Sequence, residues 1–167
     1  MIHVGTSGFS YKSWVGPFYP EELSSRERLP FYARLFDTVE MNFSYYNVPS
    51  TNSLISMADR TPPDFLFSIK AHQDMTHHRQ DNAAVFQRYC AALEPWIERE
   101  KLGCVLAQFP NSFRNTPGNR DYLRTFRERR GEIPTVIEFR HRGWIEEETV
   151  ALLRELDRGY CCVDEPR

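Results

Sequence analysis

Thr135-Val136-Ile137-Glu138-Phe139-Arg140-His141 is the stretch on which the reading of this sequence turns. Thr135 to Phe139 is a short run of β-branched and aromatic residues, the composition of a strand. It nevertheless carries Glu138, and Arg140 and His141 follow directly. Burying an isolated charge is expensive, so an ionisable group in or just past an apolar strand needs a partner or a function. Downstream, Glu146 to Arg158 has helical period, and Tyr160 to Asp164 reads as another strand ending in an acid. Upstream, Cys104 to Phe109 is a strand with Gln108 near its end, and Asn119 to Arg130 is the helix that follows it.

The same unit recurs toward the start of the chain. Ile2 to Thr6 is the first strand, with Thr6-Ser7-Gly8 at its end, and Ser24 or Ser25 can cap a helix reaching about Phe36. Pro30 must lie in the first turn of that helix or kink it. Thr38 to Asn42 is the second strand, carrying Glu40 and Asn42, and Ser50 or Thr51 opens a short helix that Pro62-Pro63 stops. Phe65 to Lys70 is the third strand, followed by a polar loop from Ala71 to Asp81. Asn82 is placed to cap the longest helix, whose apolar stripe runs through Phe86, Tyr89, Leu93 and Trp96 to about Lys101. Strands alternating with helices predict βαβ units and a parallel sheet in an α/β fold, either a (β/α) barrel or an open doubly wound sheet. No glycine-rich phosphate-binding loop favours the second.

The chain has 167 residues with 41% hydrophobic and 26% charged, a globular balance. One domain over 1–167 is the expectation. A net charge of −2 argues against a sequence-blind nucleic-acid binder. No apolar run approaches the roughly 18 residues of a membrane span, and the start does not resemble a basic leader, so the expectation is a cytoplasmic protein. Cys90, Cys104, Cys161 and Cys162 show no C-x-x-C spacing and read as reduced thiols. The arginines from Arg114 to Arg130 alternate with Asp121, Glu128 and Glu132 and read as a solvated outer face.

In such sheets the side chains at the carboxyl ends of strands converge on one mouth. Glu40, Glu138 and Asp164 are then the proton-transfer candidates, because carboxylates sharing a mouth can have their pKa values pushed apart. Lys70 fits an anion anchor, an electrophilic stabiliser or a Schiff-base amine, the first most simply. Arg140 beside His141 fits a clamp next to an acid/base group. Asn42 and Gln108 are orienting hydrogen-bonders, Thr6 and Ser7 can offer backbone amides to an anion, and Tyr11, Trp14 and Tyr46 can line the mouth. The structural alternatives are a buried Glu–Lys or Glu–Arg network, a His141 that caps the next helix, and aromatic loops that simply pack. His72, His77 and His78 lie near Asp74 and Asp81, but no H-x-x-x-H pair is present and no metal site is assigned.

Five blocks together resemble the YecE-like family, the domain of unknown function 72. They are Gly5-Thr6-Ser7-Gly8-Phe9-Ser10-Tyr11 with Trp14 and Phe18-Tyr19-Pro20, then Val39-Glu40-Met41-Asn42-Phe43-Ser44-Tyr45-Tyr46 with Pro49. Phe67-Ser68-Ile69-Lys70 with Thr76-His77, Gln108-Phe109-Pro110 with Phe113, and Glu138-Phe139-Arg140-His141 with Trp144 complete the series. Phe9 stands where the family more often has Trp. The resemblance implies a TIM-barrel-like (β/α) fold, adds His77 to the substrate-binding candidates, and supplies no established reaction or cofactor. It also implies that six of eight units are present, an incomplete barrel lacking its C-terminal units. Six units average about 28 residues, and eight would approach the usual barrel of about 250. Open edges on the first and last strands would then invite self-association.

The functional expectation is an enzyme using general acid/base chemistry on a small polar or anionic molecule, with cofactor unknown. Two alternatives stay open: metal-dependent phosphoester hydrolase-like chemistry, and a non-catalytic ligand-binding or scaffold module.

Overall fold

A computed structural model describes residues 1–164, three short of the 1–167 expected as one domain. Six strands form one sheet: β1 (Gly5–Ser7), β2 (Thr38–Met41), β3 (Leu66–Lys70), β4 (Leu102–Phe109), β5 (Thr135–Phe139) and β6 (Gly159–Tyr160). Every neighbouring pair is parallel, and the spatial order is the chain order, β1-β2-β3-β4-β5-β6. A doubly wound sheet reverses its order at a switch point; here each crossover steps the same way, as in a (β/α) barrel. The fold is α/β and TIM-barrel-like. Among the described residues β1 and β6 are each paired on one side only, so the sheet is an arc.

The period of two along each strand separates the faces. Val39, Met41, Phe67, Ile69, Val105, Ala107, Phe109 and Ile137 are buried on the outer face, in one core with helix residues. Those helices are α1 (Arg28–Tyr32), α2 (Thr51–Ala58), α3 (Ala83–Glu98), α4 (Pro117–Arg130) and α5 (Glu147–Glu155). Phe67 of β3 stacks on Trp96 of α3 at 4.2 Å, and Trp96 Nε1 donates to the Leu54 carbonyl of α2 at 2.8 Å. Each such aromatic contributes roughly 1.5–3 kcal/mol through burial. The register leaves Glu40 beside Ser68 and Gln108 beside Glu138 on the concave face.

Local signals explain most boundaries. Ser50 accepts the Ser53 N–H to start α2, and Thr116 accepts the Asn119 N–H to start α4, with Pro117 in its first turn. Four expectations differ. The first strand is Gly5–Ser7 and not Ile2 to Thr6, since its ladder onto β2 starts at Gly5 beside Thr38. The first helix is five residues and not Ser24 to Phe36, because Ser24 and Glu27 close a local turn, Ser24 Oγ donating to Glu27 Oε2 at 2.6 Å. Asn82 stands at the N-cap of α3 as expected, but its side chain makes no capping hydrogen bond; its buried amide donates instead to the Asp74 carbonyl and to Tyr122 Oη, both at 2.8 Å. β6 is two residues and not Tyr160 to Asp164, since its ladder onto β5 ends where Cys161 N–H meets the Ile137 carbonyl at 2.8 Å.

The loop from Ala71 to Asp81 contains a π-helical turn, Asp74–His78, closed by Arg79 in the left-handed region at φ 61°. Arg79 donates to the carbonyls of Thr76 and His77 at 2.9 and 3.0 Å and lies over the Phe113 ring. The arginine face is also not uniformly solvated. Arg130 is buried, and burial with the neighbouring Arg158 lowers its pKa to about 10.

Candidate functional site

A cavity of about 490 Å³ opens at the carboxyl ends of the strands, lined by Ser7, Glu40, Asn42, Tyr45, Tyr46, Lys70, Leu106, Gln108, Glu138 and Arg140. Its polar wall falls into two halves. In one, Ser7 Oγ of β1 donates to Glu40 Oε1 of β2 at 2.9 Å. Asn42 Nδ2 donates to the same carboxylate oxygen at 2.9 Å and to Ser7 Oγ at 2.7 Å. Glu40 thus carries a negative charge held by neutral donors. Because both partners of the Asn42 amide accept, its nitrogen must face them.

The other half is a chain across three strands. Lys70 Nζ of β3 donates to Gln108 Oε1 of β4 at 2.8 Å, and Gln108 Nε2 donates to Glu138 Oε1 of β5 at 2.7 Å. The Arg140 guanidinium reaches the same Glu138 oxygen with its Nε at 2.5 Å. Glu138 is only 4% exposed, so its charge is compensated where it is buried. Lys70 lies over the Tyr45 ring at 5.3 Å, a cation–π contact, while its carbonyl accepts from Ser44 Oγ and Tyr89 Oη.

Cys161 reports the same convergence from β6. It lies one ladder step past Tyr160, which pairs with Ile137, so it shares the concave face with Glu138. Burial, then Glu138 and Glu40, push its thiol up to about 11. Two carboxylates on different strands therefore act on one thiol, which is a poor nucleophile there.

The remaining candidates lie elsewhere. Thr6 faces the helices: its N–H bonds Tyr32 Oη at 2.8 Å, and its Oγ1 donates to the Gly8 carbonyl at 2.6 Å. Tyr11 donates to the Ser7 carbonyl and packs on Trp14, while Trp14 packs on Phe18. His77 contacts the cavity lining through Tyr45, edge to face at 5.1 Å. Burial, then Lys70, Arg79 and His78, lower its pKa. His141 Nδ1 accepts the Gly143 N–H at 3.0 Å, the capping geometry. Asp164 is exposed past β6 and does not line the cavity. Tyr45 and Leu106 line it without having been singled out from the sequence. Tyr45 is a neighbour of Tyr46 in the same loop, distinguished by its contacts with Lys70 and His77. Among the described residues no three His, Cys, Asp or Glu side chains are grouped to hold a metal ion.

The family described as "Protein of unknown function DUF72" matches residues 3–167. The chain belongs to the DUF72 family. It is 29% identical over 177 residues to the UPF0759 protein YunF of Bacillus subtilis, covering all of this chain and 62% of YunF. A solved DUF72 protein of Thermotoga maritima, TM1631, superposes over the whole chain with TM-score 0.89 at 39% identity. This chain covers 66% of it. A DUF72 protein of Enterococcus faecalis, EF0366, shares the fold with TM-score 0.86 at 24% identity, 62% of its length being covered. The DUF72 chain thus spans less than two thirds of the curated relative it matches. Among its described residues no helix is long and apolar enough to cross a membrane.

Chemically, this DUF72 cavity sets two carboxylates in unlike surroundings and two cations in unlike surroundings around one hollow. An ion pair between buried Glu138 and exposed Arg140 faces a carboxylate and an ammonium that, among the described residues, are hydrogen-bonded to neutral groups.

Proposed function

We propose that the cavity binds a small polar or anionic molecule and transforms it by general acid/base chemistry. The observation that carries this reading is the pair of carboxylates from β2 and β5 lining one cavity with different partners. Glu40 is the proton-transfer group, since its Oε1 is fixed by Ser7 and Asn42 while the carboxylate fronts the cavity. Glu138, committed to Arg140 and Gln108, supplies negative potential and orientation. Asn42 and Gln108 hold the two carboxylates in place, and Lys70 stabilises negative charge on the bound molecule. His141, engaged as a cap, and Asp164, outside the cavity, have no step in this scheme.

The test begins with a thermal-shift screen of phosphorylated metabolites, sugars and divalent ions, followed by turnover assays of the compounds that bind. General acid/base catalysis contributes about 10²–10⁴-fold, so Glu40→Gln should lower kcat by that factor while binding persists. Unchanged turnover in both Glu40→Gln and Glu138→Gln would end the acid/base reading.

A further inference from the structure

The four charges of the cavity are not equivalent. Glu138 and Arg140 neutralise one another at 2.5 Å. Glu40 and Lys70 stand on adjacent strands, front the same hollow, and form no ion pair with one another or with any other described residue. Each is solvated by neutral groups: Glu40 by Ser7 and Asn42, Lys70 by Gln108 and the face of Tyr45. An ammonium has three donors, and Gln108 takes one. A carboxylate accepts at both oxygens, and the Ser7 and Asn42 bonds both fall on Oε1. Opposite charges lining one cavity and each bonded to neutral partners keep bonding capacity for a ligand there. Burying that capacity against an apolar ligand would cost more than it returns.

Resting on the cavity being the functional site, we infer that its ligand is bipolar: an anionic group bound by Lys70 at one end and a proton-bearing group, hydroxyl or ammonium, bound by Glu40 at the other. Arg140 lines the same cavity while its Nε binds Glu138, so Lys70 is the cavity cation with no carboxylate partner among the described residues and is the principal anion anchor. Tyr45 belongs to the same anchor, because its ring fixes the ammonium over the cavity.

Calorimetric titration of the full chain with three matched probes tests this: inorganic phosphate, glycerol 3-phosphate and phosphoethanolamine. A charge-assisted hydrogen bond at the second end should make at least one of the two bifunctional probes bind about tenfold tighter than phosphate. A preference for glycerol 3-phosphate identifies a hydroxyl end, and a preference for phosphoethanolamine an ammonium end. Glu40→Gln should reduce that probe to the affinity of phosphate. Lys70→Met should weaken all three about tenfold or more, and Lys70→Arg, which keeps the charge, should restore binding in a chain whose circular dichroism is unchanged. The inference is overturned if phosphate binds as tightly as both bifunctional probes, or if folded Lys70→Met binds all three like the parent. These are binding measurements, so they stand apart from the catalytic reading: bipolar recognition with turnover insensitive to Glu40→Gln would sink only the latter.

Discussion

At the residue scale, Glu40 and Glu138 are the same side chain under different constraints, and their variants should separate accordingly. Glu138 is buried against Arg140 and Gln108, so Arg140→Met leaves a carboxylate without its countercharge. Loss of about 1–3 kcal/mol of stability is expected in urea unfolding. Glu40→Gln keeps the shape and can still accept from Ser7 and Asn42, so it should change stability by less than about 1 kcal/mol. Equal effects would mean that the two carboxylates are equivalent after all. His77 offers a titration in the same neighbourhood. Its folded pKa lies below the ordinary 6.5 through burial and the charges of Lys70, Arg79 and His78. The unfolded chain therefore binds this proton more readily. The resulting penalty is absent above pH 6.5, grows as pH falls toward the folded pKa, and is complete below it. Comparing parent and His77→Asn at pH 8 and pH 5 should show the parent losing more stability on acidification; a parallel loss would remove His77 as the source.

At the element scale, the π-helical turn after β3 determines how the Tyr45 and Lys70 side of the cavity is supported. Asn82, buried at the start of α3, ties this turn to α4: it donates to the Asp74 carbonyl and Tyr122 and accepts from Arg129. Asn82→Ala removes three hydrogen bonds at once, to the Asp74 carbonyl, Tyr122 and Arg129, and should cost about 2–3 kcal/mol. Ser50→Ala, which removes one exposed helix cap, should cost about 1 kcal/mol. Urea midpoints of the two variants give the comparison, and an Asn82→Ala cost no larger than that of Ser50→Ala would show that the tie is dispensable. The sequence allowed Asn82 only the role of a cap, because the partners that claim its side chain are distant in the chain. The same limit governs other elements. β5 is legible to the residue, Thr135 to Phe139, since its β-branched composition and its ladder agree. β6 is not, since its length depends on which neighbours offer hydrogen bonds. For the cavity, the period of two makes Glu40, Asn42, Lys70, Gln108, Glu138 and Arg140 legible as strand-end polar groups. It does not say which of Thr6 and Ser7 faces inward. Pairing with β2 decides that, placing Ser7 beside Glu40 and Thr6 beside Val39.

At the scale of the whole molecule, the arc of strands has consequences for association. β1 and β6 each lack a second neighbour among the described residues, and both edges are flanked by exposed apolar side chains. Ile2 and Val4 are 88% and 59% exposed at the β1 side, and Ile145 is 76% exposed near β6. Trp144, Ile145, Val150 and Tyr160 line a groove of about 310 Å³ beside that edge, with Glu146 and Glu147 also in its lining. Unpaired parallel strands offer a row of backbone donors and acceptors, and an apolar flank gives a second chain area to bury. The 167-residue chain is therefore expected to self-associate through these edges. Sedimentation velocity over a range of micromolar concentrations should show the average mass rising with concentration. Ile145→Glu combined with Val150→Glu adds to the charge of Glu146 and Glu147 in the groove while leaving both backbones intact, and should move the distribution toward monomer. The cavity lies at the strand ends, away from these two positions, so ligand binding by the double variant should match that of the parent. A parent that sediments as a concentration-independent monomer would show that the flanks do not promote pairing. A variant that dissociates but also loses binding would show instead that association holds the strand ends in place.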